Sequence, residues 1–162
     1  MQISRVETIP ISHTLDQPFG NGQGWTTSRQ YLIVRITAED GTVGYGECWG
    51  PVAGNDRIIE DILAPLVLGE EATATGRLWE KMHFKLRWAF HSFAPYSALS
   101  GMDIALWDLK GRLLGRPIHE LLGGAFRESV PAYATGHYFR KVETLEEQIS
   151  AVLEDAEGHL DN

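Results

Sequence analysis

Cysteine is nearly absent from this 162-residue chain, where Cys48 stands alone. One thiol can neither close an internal disulfide nor build a cysteine-based zinc site, so a reducing, cytoplasmic setting is expected. Long apolar runs are missing too, and no stretch approaches the roughly 20 residues of a membrane span. The start MQISRVETIP carries charges and no long apolar run, so a secretory leader is not expected. Basic clusters are also lacking: 14 Lys and Arg against 22 Asp and Glu leave a net charge of −8. Nonspecific nucleic-acid binding needs the opposite balance. Neither an internal repeat nor a low-complexity segment is present. His13, His83, His91, His119, His137 and His159 show no His-x-x-x-His spacing. Ser28 and Ser97 have no sequence neighbourhood that suggests a hydrolase triad.

What is present is globular. Hydrophobic residues make up 43% of the chain, with five tryptophans. The length fits one domain, or one domain and a piece of another, and a chain of this size buries about two-thirds of its unfolded surface.

Ser97 to Gly124 organises the rest. Leu99, Met102, Leu106, Leu109 and Leu113 recur three and four apart, the period of a buried helical stripe. Ser97 or Ser100 is expected to cap this helix, and Gly115 with Pro117 to end it. Gly101 and Ala105 leave one flank thin enough for another backbone to approach. Asp108 precedes Arg112 by four residues, the favoured order for a helical ion pair. Ile118, Leu121 and Leu122 predict one more short turn, closed by Gly123 and Gly124.

Upstream, Ile3–Ser12 alternates like a strand, whereas Thr14–Thr27 is turn chemistry: Asp16, Pro18, Gly20, Asn21, Gly22 and Gly24. Tyr31–Ile36 and Thr42–Cys48 read as two more strands joined by a hairpin turn at Ala38–Gly41. Trp49–Gly54 is a second loop. Asn55 or Asp56 is expected to cap a helix through Ile58, Ile59, Ile62 and Leu63, with Pro65 ending or kinking it. Thr75–Trp88 is a further helix, with Leu78, Trp79, Met82 and Leu86 inward. Sheet first and helices afterward is an α+β order. The pattern then changes. Val130–Ala134 predicts a short strand, and Thr144-Leu145-Glu146-Glu147 a capping box for a helix buried through Leu145, Ile149, Val152 and Leu153. One strand, one loop and one helix make a βα unit without a parallel partner. The chain is therefore expected to stop, at Asp161-Asn162, just after a second domain begins.

Gly101-Met102-Asp103, Ala105-Leu106-Trp107-Asp108-Leu109, Gly111-Arg112, Pro117 and Leu121-Leu122-Gly123 carry a resemblance. Together they are similar to the signature of the mandelate racemase/muconate lactonizing branch of the enolase superfamily. Gly46-Glu47-Cys48, Gly50-Pro51, Glu128-Ser129-Val130 and Ala132-Tyr133-Ala134-Thr135-Gly136 narrow the resemblance to the galactarolactone cycloisomerases and related acid-sugar dehydratases. It implies an enolase-type N-terminal capping domain over residues 1–126, a three-stranded antiparallel sheet followed by a helical bundle. Residues 127–162 would then be the first βα unit of a truncated (β/α) barrel.

The resemblance also implies chemistry: abstraction of the proton α to a carboxylate, with the enediolate held on Mg²⁺. A proton so weakly acidic requires a divalent cation and a placed base. In the family the base is a lysine, often paired with a histidine or second lysine, and three acids on consecutive strands hold the metal. All lie beyond the first βα unit and are expected downstream of Asn162, so no catalytic residue and no metal ligand is assigned to this chain. Lys141 precedes the final helix and is not taken as the base. The expected substrate is a small carboxylate, a sugar acid or its lactone, and a homo-oligomer is expected. A racemase or epimerase of another carboxylate, or a non-catalytic binding module, are the alternatives.

Gly20-Asn21-Gly22-Gln23-Gly24 lacks the spacing of a phosphate loop, and a strand follows it in place of a helix N-terminus. The resemblance instead makes this loop and Trp49–Gly54 two halves of a lid, with Phe19, Asn21, Gln23, Trp25, Trp49 and Pro51 as substrate-binding candidates. His137 joins them because catalytic groups in such barrels sit on loops after the strands. Glu47 and Asp108 are read as structural acids.

Overall fold

The computed structural model describes residues 1–91, 95–133 and 135–160. They form an antiparallel sheet and six α-helices in α+β order. Two units arise. The first comprises residues 1–11 and 30–126, the second residues 12–29 and 127–162. Asp161 and Asn162, where the sequence reading put the end of the first βα unit and downstream of which it put the catalytic groups, lie outside the described residues.

In the first unit the sheet order is β3-β2-β1, from the inner parts of β1 (Ile3–Asn21) and β2 (Gly24–Ala38) and the whole of β3 (Val43–Cys48). Leu32, Val34, Ile36 and Ala38 alternate along β2 and are all buried, as a sheet with one face on a core requires. β2 and β3 pair from Leu32↔Cys48 to Thr37↔Val43. Their turn is closed by the Ala38 N–H on Thr42 O and by the Thr42 N–H on Asp40 Oδ1, with Gly41 at φ 86°. This is the hairpin that the sequence predicts.

The helices cover the buried face. α1 (Val52–Ile58) runs into a wider π turn at Ile59–Leu63 and then α2 (Ala64–Val67). Pro65 lies in the first turn of α2, directly after the π turn, so the helical run widens just before the residue that cannot donate. Neither Asn55 nor Asp56 caps α1: Pro51 holds that position, and the Asn55 amide donates to Pro51 O at 2.8 Å. α3 (Thr75–Phe90) buries Leu78, Met82 and Leu86, with Trp79 half-buried against them.

The organising helix is α4 (Tyr96–Leu114), followed by α5 (Ile118–Leu121). Leu99, Met102, Leu106 and Leu109 are buried and Leu113 packs at the edge of the same core. Gly115 ends the helix in the left-handed conformation (φ 62°), as predicted. The start differs. Pro95 occupies the cap position with no side-chain cap, and the Ser97 hydroxyl donates instead to Trp49 O. Position in a loop-to-helix junction, not residue type, decided its partner.

β3 lies directly on α4. Gly44, Gly46 and Cys48 face the helix, and a Cβ at Gly46 would overlap Gly101 O and stand 2.7 Å from Ala105 N. A Cβ at Gly101 would overlap Cys48 Sγ. The thin flank at Gly101 and Ala105 is therefore where strand and helix backbones touch. Asp108 ties the same seam, since its Oδ2 accepts both the Tyr45 N–H (2.8 Å) and Arg112 Nε (2.9 Å).

Burial, with the Glu47 charge beside it, pushes the Cys48 thiol up to about 11. Thiols react as thiolates. At pH 8 the native protein is thus expected to consume a thiol-directed disulfide reagent only as fast as it unfolds. Immediate stoichiometric labelling would show that Cys48 is not sealed beneath α4.

The second unit departs most from expectation. Thr14–Thr27 is no irregular loop: it is the outer part of β1 and β2, joined at Gly22 and Gln23. Backbone pairing, which composition does not report, overrides the turn-forming residues there. Val130–Tyr133 form no strand, and Ala134 lies outside the described residues. The strand of this segment is β4 (Phe139–Arg140), which pairs antiparallel with Phe19 and Gly20 of β1, so the expected three-stranded sheet has a short fourth strand.

The capping box opens α6 (Leu145–Leu160) as predicted: Thr144 Oγ1 accepts the Glu147 N–H at 3.2 Å, and Glu147 Oε2 accepts the Thr144 N–H at 3.0 Å. Its buried face is not the predicted one. Leu145, Ile149 and Leu153 are exposed and Val152 is half-buried, while Ala151 is buried. Gln148 and Asp155 instead bond Arg140 beside β4. Hydrogen bonds to one short strand orient α6, and its apolar stripe is left outward.

Candidate functional site

The tip of the β1–β2 hairpin carries four of the candidates. Asn21 Oδ1 accepts the Gln23 N–H at 2.9 Å, a local Asx turn that fixes the reversal. Gly20 has no side chain, and the Trp25 ring fills that space: a Cβ on Gly20 would lie 3.1 Å from two ring carbons. Trp25 remains half exposed (50%). Phe19 stacks obliquely on Tyr138, with centroids 4.6 Å apart, and the Arg29 guanidinium lies 5.2 Å from its ring centre. Lys141 Nζ stands 5.9 Å from the Trp25 centroid. The β4 pairing that aligns Phe19 with Arg140 and Gly20 with Phe139 makes these contacts possible.

His137 precedes β4 and does not follow a strand. Its φ of 62° is unusual for a residue with a Cβ. Its ring meets the edge of His159 at a centroid distance of 6.0 Å, and His159 Nε2 also packs against Gly136. His137 is thus brought to α6. Phe19, Asn21, Gln23 and Trp25 share the hairpin tip.

Trp49 and Pro51 belong to the other unit. Trp49 is 87% exposed, with its carbonyl held by Ser97 and Gly50 beside it at φ 97°. Pro51 follows at the start of α1, also exposed. The sequence did not single out Gly20, Arg29 or Tyr138 for this cluster. A glycine four or five residues from a tryptophan across a turn is the signal that could have paired Gly20 with Trp25. Nothing local marked Tyr138, which enters through β4.

The chemistry of the tip is recognition. Aromatic faces, side-chain amides and two basic side chains can bind and orient a polar ligand. Among the described residues no three His, Cys, Asp or Glu side chains converge on a common point. The described residues therefore do not fit a divalent-cation site, which needs several oxygen ligands at once. No helix among them is long and apolar enough to cross a membrane.

The description "Mandelate racemase / muconate lactonizing enzyme, N-terminal domain" matches residues 5–123. This chain belongs to that family. Its α+β order is that of the enolase-type N-terminal capping domain. A member of the enolase superfamily from Polaromonas sp. JS666 superposes with a TM-score of 0.81 at 31% identity, over 99% of this chain and 42% of that one. D-galactarolactone cycloisomerase of Agrobacterium fabrum is 39% identical over 98% of this chain and 42% of its own length. Arabinonate dehydratase of Saccharolobus solfataricus is 39% identical over 72% of this chain and 32% of its own. The chain thus spans less than half the length of these relatives.

Proposed function

We propose that this chain is the substrate-covering part of an enolase-superfamily enzyme that abstracts the proton α to a carboxylate. The substrate is a sugar acid, and the reaction a dehydration or the cycloisomerisation of a sugar-acid lactone. In this reading residues 1–126 are the capping domain, residues 127–162 open the barrel, and the base and metal ligands come from chain downstream of Asn162. The relatives named above, a sugar-acid dehydratase and a lactone cycloisomerase, support the class of chemistry. One observation carries the role: the β1–β2 tip displays Trp25, Asn21 and Gln23 toward solvent while Gly20 and β4 hold its backbone in place. A tip that is paired to a neighbouring strand and rich in polar and aromatic groups is suited to cover a substrate and exclude water.

Mg²⁺ belongs to this reading only for the whole protein. It would stabilise the enediolate, and its ligands are not among the described residues. The chain's own part is binding and orientation. Phe19, Asn21, Gln23 and Trp25 would contact substrate from the hairpin tip, Trp49 and Pro51 from the second loop, and His137 from the segment before β4. Binding energy gathered on such remote groups can hold the reactive geometry.

The test uses the whole protein. Trp25→Ala and Trp49→Ala are each expected to lower kcat/KM for a sugar acid on the order of 10- to 100-fold. The melting temperature should change little, because Trp49 is largely exposed and Trp25 is half exposed at a hairpin tip outside the core. If both variants lose several degrees of Tm and keep full turnover per folded molecule, the tryptophans only anchor their loops and the covering role is wrong.

A further inference from the structure

We propose that the groove along α3, walled by Leu66, Phe84 and Trp88, is a binding site for an apolar carboxylate, a free acid with an aromatic or aliphatic hydrocarbon body. None of these residues belongs to the β1–β2 tip, and the inference does not rest on the reading of that tip.

Three observations carry it. First, Phe84 and Trp88 are 70% and 74% exposed, while Leu78, Met82 and Leu86 on the inner face of the same helix are buried. Scattered exposed apolar residues are ordinary on a surface, whereas two rings one turn apart on one groove form a patch that calls for a ligand. Second, the rings, Leu66 of α2 and the side chains of Lys81 and Lys85 line a cavity of about 430 Å³. That volume, with mostly apolar walls and a few polar groups, is that of a small-molecule site. A docked protein would need a patch several times wider, on the order of 20 residues. Third, the charge is local and positive. Residues 81, 84, 85 and 88 follow the spacing of one helical face, so both lysines stand beside the rings. Lys85 has no ion-pair partner among the described residues. Lys81 shares Glu70 with Arg77, each at 2.7 Å, so one carboxylate balances two cations. The groove therefore keeps surplus positive charge in a chain of net charge −8. Lysine stems can lie along the apolar wall while their ammonium groups donate to a carboxylate at its rim. The aromatic faces take the hydrocarbon body.

The experiment is a calorimetric titration of the whole protein with naphthoate and with naphthalenemethanol, its uncharged match. Naphthoate is expected to bind saturably with one-to-one stoichiometry, about tenfold tighter than the alcohol, the scale of two partly screened charge contacts. The double variant Lys81→Gln/Lys85→Gln should lose that advantage and bind the two probes alike, and Lys81→Arg/Lys85→Arg should restore it. Added salt should weaken naphthoate and leave the alcohol unchanged. Trp88→Ala should weaken both probes, because it removes the apolar wall. All these side chains lie outside the buried face of α3, so thermal melts should show every variant folded. Absence of saturable naphthoate binding overturns the site. Naphthoate affinity that is the same in wild type, Trp88→Ala and Lys81→Gln/Lys85→Gln places the ligand elsewhere and also overturns it. Equal affinity of wild type for acid and alcohol overturns the carboxylate. A wild-type dimer that excludes naphthoate and that Trp88→Ala dissociates assigns the face to a second copy of the chain, and the ligand site is then wrong.

Discussion

Gly46→Ala is expected to destabilise the protein by about 3 kcal/mol or more, the upper range for overpacking a filled site. The added methyl would sit on the α4 backbone, overlapping Gly101 O and lying 2.7 Å from Ala105 N. Backbone atoms in mid-helix cannot swing aside as a flexible side-chain end can. Either α4 moves off the sheet, opening the core under Leu106 and Leu109, or β3 shifts and loses pairs with β2. Gly76→Ala is the control, because a Cβ there meets nothing within 4 Å and alanine favours a helix. Urea unfolding of the two variants decides the matter. If Gly46→Ala matches Gly76→Ala within about 0.5 kcal/mol, the spread normal for surface changes, the seam is not as tight as described.

Leu106→Ala is the second large effect, expected to cost about 2–5 kcal/mol. Leu106 is fully buried in the middle of the α4 stripe, within one cluster that joins Leu32, Val34 and Ile36 to Leu78, Met82 and Met102. Alanine there leaves a cavity bounded by sheet and helices that already pin one another through the glycine seam, so collapse around it is limited. Arg112→Ala should cost only a few tenths of a kcal/mol, since its pair with Asp108 is half exposed. Asp108 keeps the Tyr45 N–H when Arg112 is removed. Comparable losses in Leu106→Ala and Arg112→Ala would mean that the buried face of α4 is misassigned.

The features legible in the sequence share a cause: each is decided within a few residues or by a strict period. The α4 stripe repeats at the helical spacing, β2 alternates, and the turn at Ala38–Gly41 and the Thr144–Glu147 capping box place donor and acceptor within four positions of each other. The family signature fell on the same helix, where Gly101, Ala105 and Asp108 all meet β3. The candidates at the hairpin tip were placed by resemblance. Their mutual contacts were not readable, because Gly20 and Trp25, or Phe19 and Tyr138, meet only after strands pair.

What the chain's own sequence determined, then, is the set of local conformations and the apolar faces of β2, α3 and α4, since periodicity and short-range hydrogen bonding suffice for these. Only the tertiary structure decided that Thr14–Thr27 would be strand, that Ser97 would bond Trp49, and that α6 would turn Gln148 and Ala151 inward instead of Leu145 and Ile149. In each case the partner is a backbone or side chain distant in sequence. A residue's type states which bonds and burials it can make, whereas its partners are chosen by the neighbours that the assembled fold brings within reach.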